Sequence, residues 1–272
     1  MTDEIDIEKI GGDSKDVTII FTDIKGFTSF SEQHTPREVV HRLNEYLGEM
    51  VQVIEEYDGY VDKFIGDGIM AYWGAPHAKV DHAKLAIACI LGMQRTMEAL
   101  RMKWLAEGLE PFSIRAGVQS GEVVAGYVGL RGKKMEYTVI GDTVNQAARL
   151  EGSAKYYGVD VLVGGNTYLA TRDIYLYREL DKVRMMGKQV PVTVYELIDK
   201  LNPGKIELNQ LFAESLAIYR GHGWIEAEKC FASILRKYPQ DKPSEMYLER
   251  CQFFMKNPVD DGWDGVFNRR GK

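Results

Sequence analysis

Two rhythms of apolar and polar positions alternate along the chain up to about residue 200, and one rhythm follows them. Residues 16–23 form a short β-branched run of the buried-strand type. A strong helix signal comes next. Thr35 can cap, Pro36 suits the first helical position and Glu38 completes a capping box. Val39, Val40, Leu43, Tyr46, Leu47, Met50, Val51 and Ile54 then recur at helical spacing until Asp58-Gly59 stops them. Residues 60–65 and 69–73 read as strands around Gly66-Asp67-Gly68, a hairpin signature. The pattern predicts a long helix over 80–107, an extended alternating segment over 112–128 and a strand over 137–140. A helix capped by Asp142 or Thr143 should run to about residue 157. A strand over 159–163, a short helix and strands near 175–183 and 190–198 close the series. Strands alternating with helices indicate an α/β or α+β sandwich with helices packed on one sheet.

After Asn202-Pro203-Gly204 the strands cease. Residues 207–220, 224–238 and 242–256 carry three consecutive helical patterns. Ala227, Phe231, Leu235 and Pro239 make this stretch resemble a tetratricopeptide helical pair, and one such pair cannot bury its apolar face alone. It should pack on the preceding domain or on a partner. Trp263 among turn formers suggests a docked end. The expected organisation is a linker over 1–15, a catalytic domain over 16–200 and a helical extension over 204–272.

Composition narrows the function classes. A 45% apolar content in 272 residues supports a real core. A net charge of −6 argues against a nucleic-acid binder, and Arg131-Gly132-Lys133-Lys134 reads as a solvated loop tip. Cys89, Cys230 and Cys251 are widely spaced, which suits a reducing compartment, and no run approaches a membrane span. The expected location is cytoplasmic.

The informative chemistry lies in two aspartates at the ends of apolar strands, Asp23 and Asp67. Paired carboxylates at neighbouring strand ends suit divalent cations held against a polyphosphate, with the Ile24 carbonyl as a further ligand. Singly, Asp67 reads as a hairpin residue and Asp23 as a helix cap; together they point to a site. Gly26-Phe27-Thr28 opens a helical segment whose amides can receive terminal phosphates. Lys63 shares a strand face with Ile65 and Asp67, roughly 13 Å from the latter, about the span from a purine to its phosphates. The alternative for Lys63 is an open sheet face. Asn145 and Arg149 lie one helical turn apart and point the same way, suited to a sugar oxygen and to a reacting phosphate. In isolation Arg149 reads more readily as an ordinary solvated arginine near a helix C-terminus.

Three runs carry a family resemblance: Phe21-Thr22-Asp23-Ile24-Lys25-Gly26-Phe27-Thr28, Lys63-Phe64-Ile65-Gly66-Asp67-Gly68-Ile69-Met70-Ala71, and Gly141-Asp142-Thr143-Val144-Asn145-Gln146-Ala147-Ala148-Arg149-Leu150-Glu151. In this order and spacing, residues 16–198 resemble the class III adenylyl/guanylyl cyclase catalytic domain. The resemblance implies an α+β fold, a ferredoxin-like sheet with helices packed on it, working as a head-to-tail two-fold homodimer with nucleotide sites at the interface. It implies that Asp23 and Asp67 hold two Mg2+ or Mn2+ ions, that Lys63 reads the base, and that Asn145 and Arg149 come from the opposite chain. Thr138, seven residues before Asn145, stands where adenylyl cyclases often carry aspartate, and its hydroxyl can accept from the adenine amino group. Lys with Thr implies ATP as substrate, giving 3′,5′-cyclic AMP and pyrophosphate. The alternatives are a guanylyl cyclase or a degenerate, regulatory cyclase-homology domain. One departure stands out: Met186 occupies the place of a phosphate-binding lysine, with Arg184 and Lys188 as substitutes. Domains with such tails often follow membrane-bound sensors, so an upstream sensor region is a further expectation.

Overall fold

The computed structural model describes residues 12–130, 133–184, 190–199, 202–260 and 262–267. Arg131 and Gly132 of the basic loop, Met186 and Lys188, and the first eleven residues of the expected linker lie outside them. The chain divides into two compact units, one within Met1–Glu151 and the other within Gly152–Lys272.

The first unit contains β1 (Asp13–Ile24), α1 (Phe27–Gln33), α2 (Pro36–Glu56), β2 (Tyr60–Ile65), β3 (Gly68–Trp73), α3 (His82–Ala106), β4 (Ile114–Leu130), β5 (Lys134–Ile140) and most of α4 (Asp142–Tyr157). Its strands run in the order β2-β3-β1-β4, all antiparallel, and β5 pairs with the far end of β4. Residues 13–15, expected in the linker, extend β1 and pair with β4 as far as Ala125. The β1 run is continuously apolar because both its faces are covered. Val17 and Ile19 join Met70, Tyr72, Val123, Val139 and Ala147 of α4 in one buried layer. Ile20 and Ile24 lie on the opposite face, where Thr18 bonds His82 of α3 and Thr22 meets Tyr46 of α2. The helix α2 starts as the capping box predicts: Thr35 Oγ1 accepts from the Glu38 amide at 3.4 Å, and Glu38 Oε2 accepts from the Thr35 amide at 2.9 Å.

The second unit holds β6 (Val161–Gly164), α5 (Gly165–Thr171), β7 (Leu176–Val183), β8 (Val192–Ile198), α6 (Pro203–Arg220), α7 (Trp224–Lys237) and α8 (Lys242–Lys256). The strands pair antiparallel in the order β6-β8-β7. The last three helices enclose Phe212, Phe231 and Tyr247, all buried, and meet β7 through charged groups. Arg178 on β7 bonds Glu196 of β8 at 2.7 Å and Asp241, which caps α8, at 2.8 Å. Asp181 accepts from Arg250 at 2.9 and 2.7 Å and from the hydroxyls of Tyr157 at 3.0 Å and Tyr247 at 3.2 Å. Trp263 packs edge-on against Tyr219, Trp224 and Phe254, so this end of the chain is docked. Among the described residues no helix is long and apolar enough to cross a membrane.

Candidate active site

The two aspartates are brought together by the close approach of β3 to β1. Gly68 follows Asp67, and a Cβ there would stand 2.5 Å from the Thr22 carbonyl oxygen; only glycine lets the hairpin lie this close. The Ile69 amide donates to Thr22 Oγ1 at 3.3 Å, and the Ile24 amide donates to Asp67 Oδ2 at 3.1 Å. Asp67 is thereby fastened to the end of β1. Its carboxyl is pushed up to about 6, first by burial and then by the charge of Asp23 and a side-chain hydrogen bond with it. Two carboxylates this close, one of them raised by its neighbour's charge, are a donor set suited to a divalent cation, which would relieve their repulsion.

Arg115 completes this end of the sheet, and it escapes a sequence reading. It sits directly opposite Asp23 in the β1–β4 register, with Nη2 3.2 Å from Asp23 Oδ2. Strand alternation places Arg115, Gly117 and Gln119 on one face of β4. That face meets α4. A Cβ on Gly117 would lie 2.1 Å from the Glu151 amide nitrogen and 2.4 Å from the Ala147 carbonyl oxygen. Gln119 Nε2 donates to Gln146 Oε1 at 3.1 Å, and Thr143 Oγ1 donates to the Glu122 carbonyl at 2.9 Å. These contacts fix the rotation of α4 about its own axis. Glu151 faces the aspartates: burial and then the charge of Asp23 push its carboxyl up, with Arg115 opposing.

The remaining candidates are distributed around this centre. Asn145 and Arg149 are exposed on α4. At about 100° per residue, Glu151 lies about 120° from Asn145 and about 160° from Arg149 around the helix axis. The side of α4 that faces Asp23 and Asp67 is therefore not the side that carries Asn145 and Arg149. Gly26 precedes α1 in the left-handed region, with φ 78°, and Phe27 and Thr28 open that helix. Lys63 on β2 is 3.1 Å from Asp62 Oδ2, and its charge contributes to lowering the Glu136 carboxyl on β5. Thr138 is buried two residues farther along β5, on the Glu136 side of the strand. Lys63 and the Thr138 side of β5 are thus neighbours within one chain. Arg184 lies in the second unit and is paired with Asp264.

Comparisons with known proteins bear on the family. A family described as the adenylate and guanylate cyclase catalytic domain matches residues 12–199. Adenylate cyclase 1 of Rhizobium meliloti is 38% identical over 184 residues, covering 68% of this chain and 28% of that protein. An adenylate cyclase of Anabaena cylindrica is 34% identical over 198 residues, covering 70% and 38%. The chain thus spans well under half the length of these relatives. Among solved structures, the adenylyl cyclase CyaB from P. aeruginosa superposes with a TM-score of 0.64 at 32% identity, covering 69% of this chain and 96% of that one. The guanylyl cyclase Cya2 does so with the same TM-score at 33% identity, covering 71% and 98%. Similarity to both kinds leaves the base to be decided by the site, while the matched span takes in both aspartates, Arg115 and α4. By the breadth of that match, this chain belongs to the adenylate and guanylate cyclase catalytic domain family.

Proposed function

We propose that the chain is an adenylyl cyclase that converts ATP to 3′,5′-cyclic AMP and pyrophosphate, in sites shared between the two chains of a head-to-tail two-fold homodimer. The observation that carries this reading is the rotation of α4, which turns Glu151 toward Asp23 and Asp67 and turns Asn145 and Arg149 away from them. Residues of α4 that serve the reaction then serve the aspartates of a second copy. Exposed apolar side chains support a dimer: Phe64 and Ile65 at the end of β2, Val128 and Leu130 on β4 and Ile140 on β5.

Divalent metal use is a property of the family, and Asp23, Asp67 and the Ile24 carbonyl fit two Mg2+ or Mn2+ ions. Such ions supply Lewis acidity at the ribose 3′-oxygen and charge compensation along the triphosphate. The chain's own residues do the rest. The Lys63 ammonium donates to adenine N1, and the Thr138 hydroxyl accepts from the N6 amino group. Asn145 holds a ribose oxygen. Arg149 offsets the charge that develops on the α-phosphate during in-line attack. The amides of Gly26, Phe27 and Thr28 receive the terminal phosphates, and Arg115 provides a fixed positive charge beside them. Arg184 and Lys188 are candidates for the place that Met186 leaves without a lysine. A cytoplasmic output role behind a membrane sensor fits such a domain.

The test is incubation with ATP or GTP and Mg2+ or Mn2+, with the product identified by mass spectrometry. Cyclic AMP from ATP is expected; cyclic GMP from GTP in its place would give the guanylyl alternative, and no product from either would leave a regulatory, degenerate domain. Asp67→Ala and Arg149→Ala should each lose about 10²–10³ in rate. Mixed in equal amounts they should recover roughly a quarter of wild-type activity, since half the dimers are mixed and each keeps one intact site. Mixed dimers that form but stay inactive would overturn the shared site.

A further inference from the structure

The strand that carries Lys63 is irregular just before it. Val61 pairs with Ala71 and Lys63 with Met70, so Asp62 is an inserted residue with no partner across the ladder. In a regular strand, residues 62 and 63 would point to opposite faces. The bulge removes that alternation and lets the Asp62 carboxylate reach its neighbour, with Oδ2 3.1 Å from Lys63 Nζ. The Asp62 side chain is 1% exposed, whereas that of Lys63 is 43% exposed. Neither Asp62 oxygen has a hydrogen-bond partner, and among the described residues its ion-pair partner is Lys63. The Tyr72 hydroxyl, also buried and without a partner, feels the Asp62 charge. Burial, then Tyr60, then Asp62 keep that phenol protonated.

A buried carboxylate with no hydrogen-bond donors is unfavourable for folding. Asp62 opposes stability, so its explanation lies in what it does to Lys63. A lysine is a point charge on a flexible four-carbon stem and does not fix its own direction. Adenine presents an acceptor at N1, while guanine presents a donor there. An ammonium held at one place favours adenine and repels the N1–H of guanine. An ammonium that swings can reach the acceptors O6 and N7 of guanine instead.

We propose that Asp62 is a positioning residue that anchors the Lys63 ammonium and thereby sets the preference for adenine over guanine nucleotides. This role rests on the proposed cyclase function and deepens it. The Glu136 carboxyl, which also feels Lys63, is itself engaged by Lys134 at 3.0 Å, so the buried anchor is Asp62.

The test uses the full chain with Asp62→Asn, which keeps the shape and removes the charge, and measures kcat/KM for ATP and for GTP. The ATP-over-GTP preference should fall about tenfold, chiefly through a higher KM for ATP. The Tm should hold or rise, because an unfavourable buried charge is gone. Lys63→Ala alone should lower the preference, and adding Asp62→Asn to it should change the preference no further. An unchanged preference in Asp62→Asn, or a further fall in the Lys63→Ala background, overturns the role. Should Asp62→Asn fail to fold, Lys63→Met decides: it strands the carboxylate and should lower the Tm, and a wild-type Tm overturns the anchor. A wild-type chain that cyclises neither nucleotide overturns the proposed function and this role together. One that cyclises ATP, with the preference intact in Asp62→Asn, overturns this role alone.

Discussion

The proton on Asp67 links the site to stability. Its carboxyl titrates near 6 in the folded chain against an ordinary value of 3.8, so folding favours the protonated form. That contribution is fully present below about pH 4 and is lost as pH rises through about 6. Without divalent cations, Asp67→Asn should therefore melt higher than wild type at pH 7.5, and the gap should close by pH 4.5. Mn2+ should raise the wild-type Tm at pH 7.5, raise it less at pH 5.5 where protons compete, and leave the Asn variant unchanged. Thermal melts across this range check the sign; a less stable Asn variant at pH 7.5 without metal would show that the carboxylate is already compensated. The two aspartates were legible in the sequence because each ends an apolar run at a turn. Arg115 was not, since it meets Asp23 across 92 residues through a strand register that no local pattern encodes. Asp62 is illegible for a related reason: the strand alternation breaks at the bulge between Val61 and Lys63.

Helices whose ends carry their own chemistry were readable to within a few residues. The signals at Thr35, Pro36 and Glu38 and the stop at Asp58-Gly59 match α2, and Asp142 opens α4. The rotation of α4 was not readable, because it is set by the bare backbone at Gly117 and by the Gln119–Gln146 bond on a distant strand. Two glycines separate these effects. Gly117→Ala puts a methyl group against the α4 backbone, which cannot yield as a flexible side chain would. We expect it to cost about 1–3 kcal/mol and to lower cyclase activity at least tenfold, by shifting Asn145 and Arg149 together. Gly152 lies in the same helix with open space around its Cβ position. Gly152→Ala should instead stabilise by about 0.5–1 kcal/mol through helix propensity. Activity and melting curves for the pair discriminate a positional effect from a general one. Equal activity in the two variants would remove Gly117 from the account.

At the scale of the whole molecule, the change in sequence texture near Asn202 and the change in packing do not coincide: the compact units part at Glu151 and Gly152, within α4. Composition marks where strands cease, but packing follows buried charge. Arg178 and Asp181 both sit on β7, both are nearly inaccessible, and each takes partners from α8 or its cap. The second unit therefore treats the last helices as part of its core. Removing one partner of such a buried pair leaves the other uncompensated, at about 3–5 kcal/mol. Arg250→Ala leaves Asp181 without a countercharge, with the hydroxyls of Tyr157 and Tyr247 and the Lys182 amide as its donors, and at roughly 2–4 °C per kcal/mol the Tm should drop by about 6–20 °C. Replacing both charges by apolar side chains of similar size removes the stranded carboxylate as well. The double variant Asp181→Leu with Arg250→Met should then melt closer to wild type than Arg250→Ala does. Deleting residues 203–272 removes Asp241, Tyr247 and Arg250 at once and should be at least as damaging as the single substitution. Calorimetry on the three variants tests the ordering. A truncated chain as stable as the full one would mean that α6–α8 are an appendage, and that the buried charges on β7 find other partners once the helices are gone.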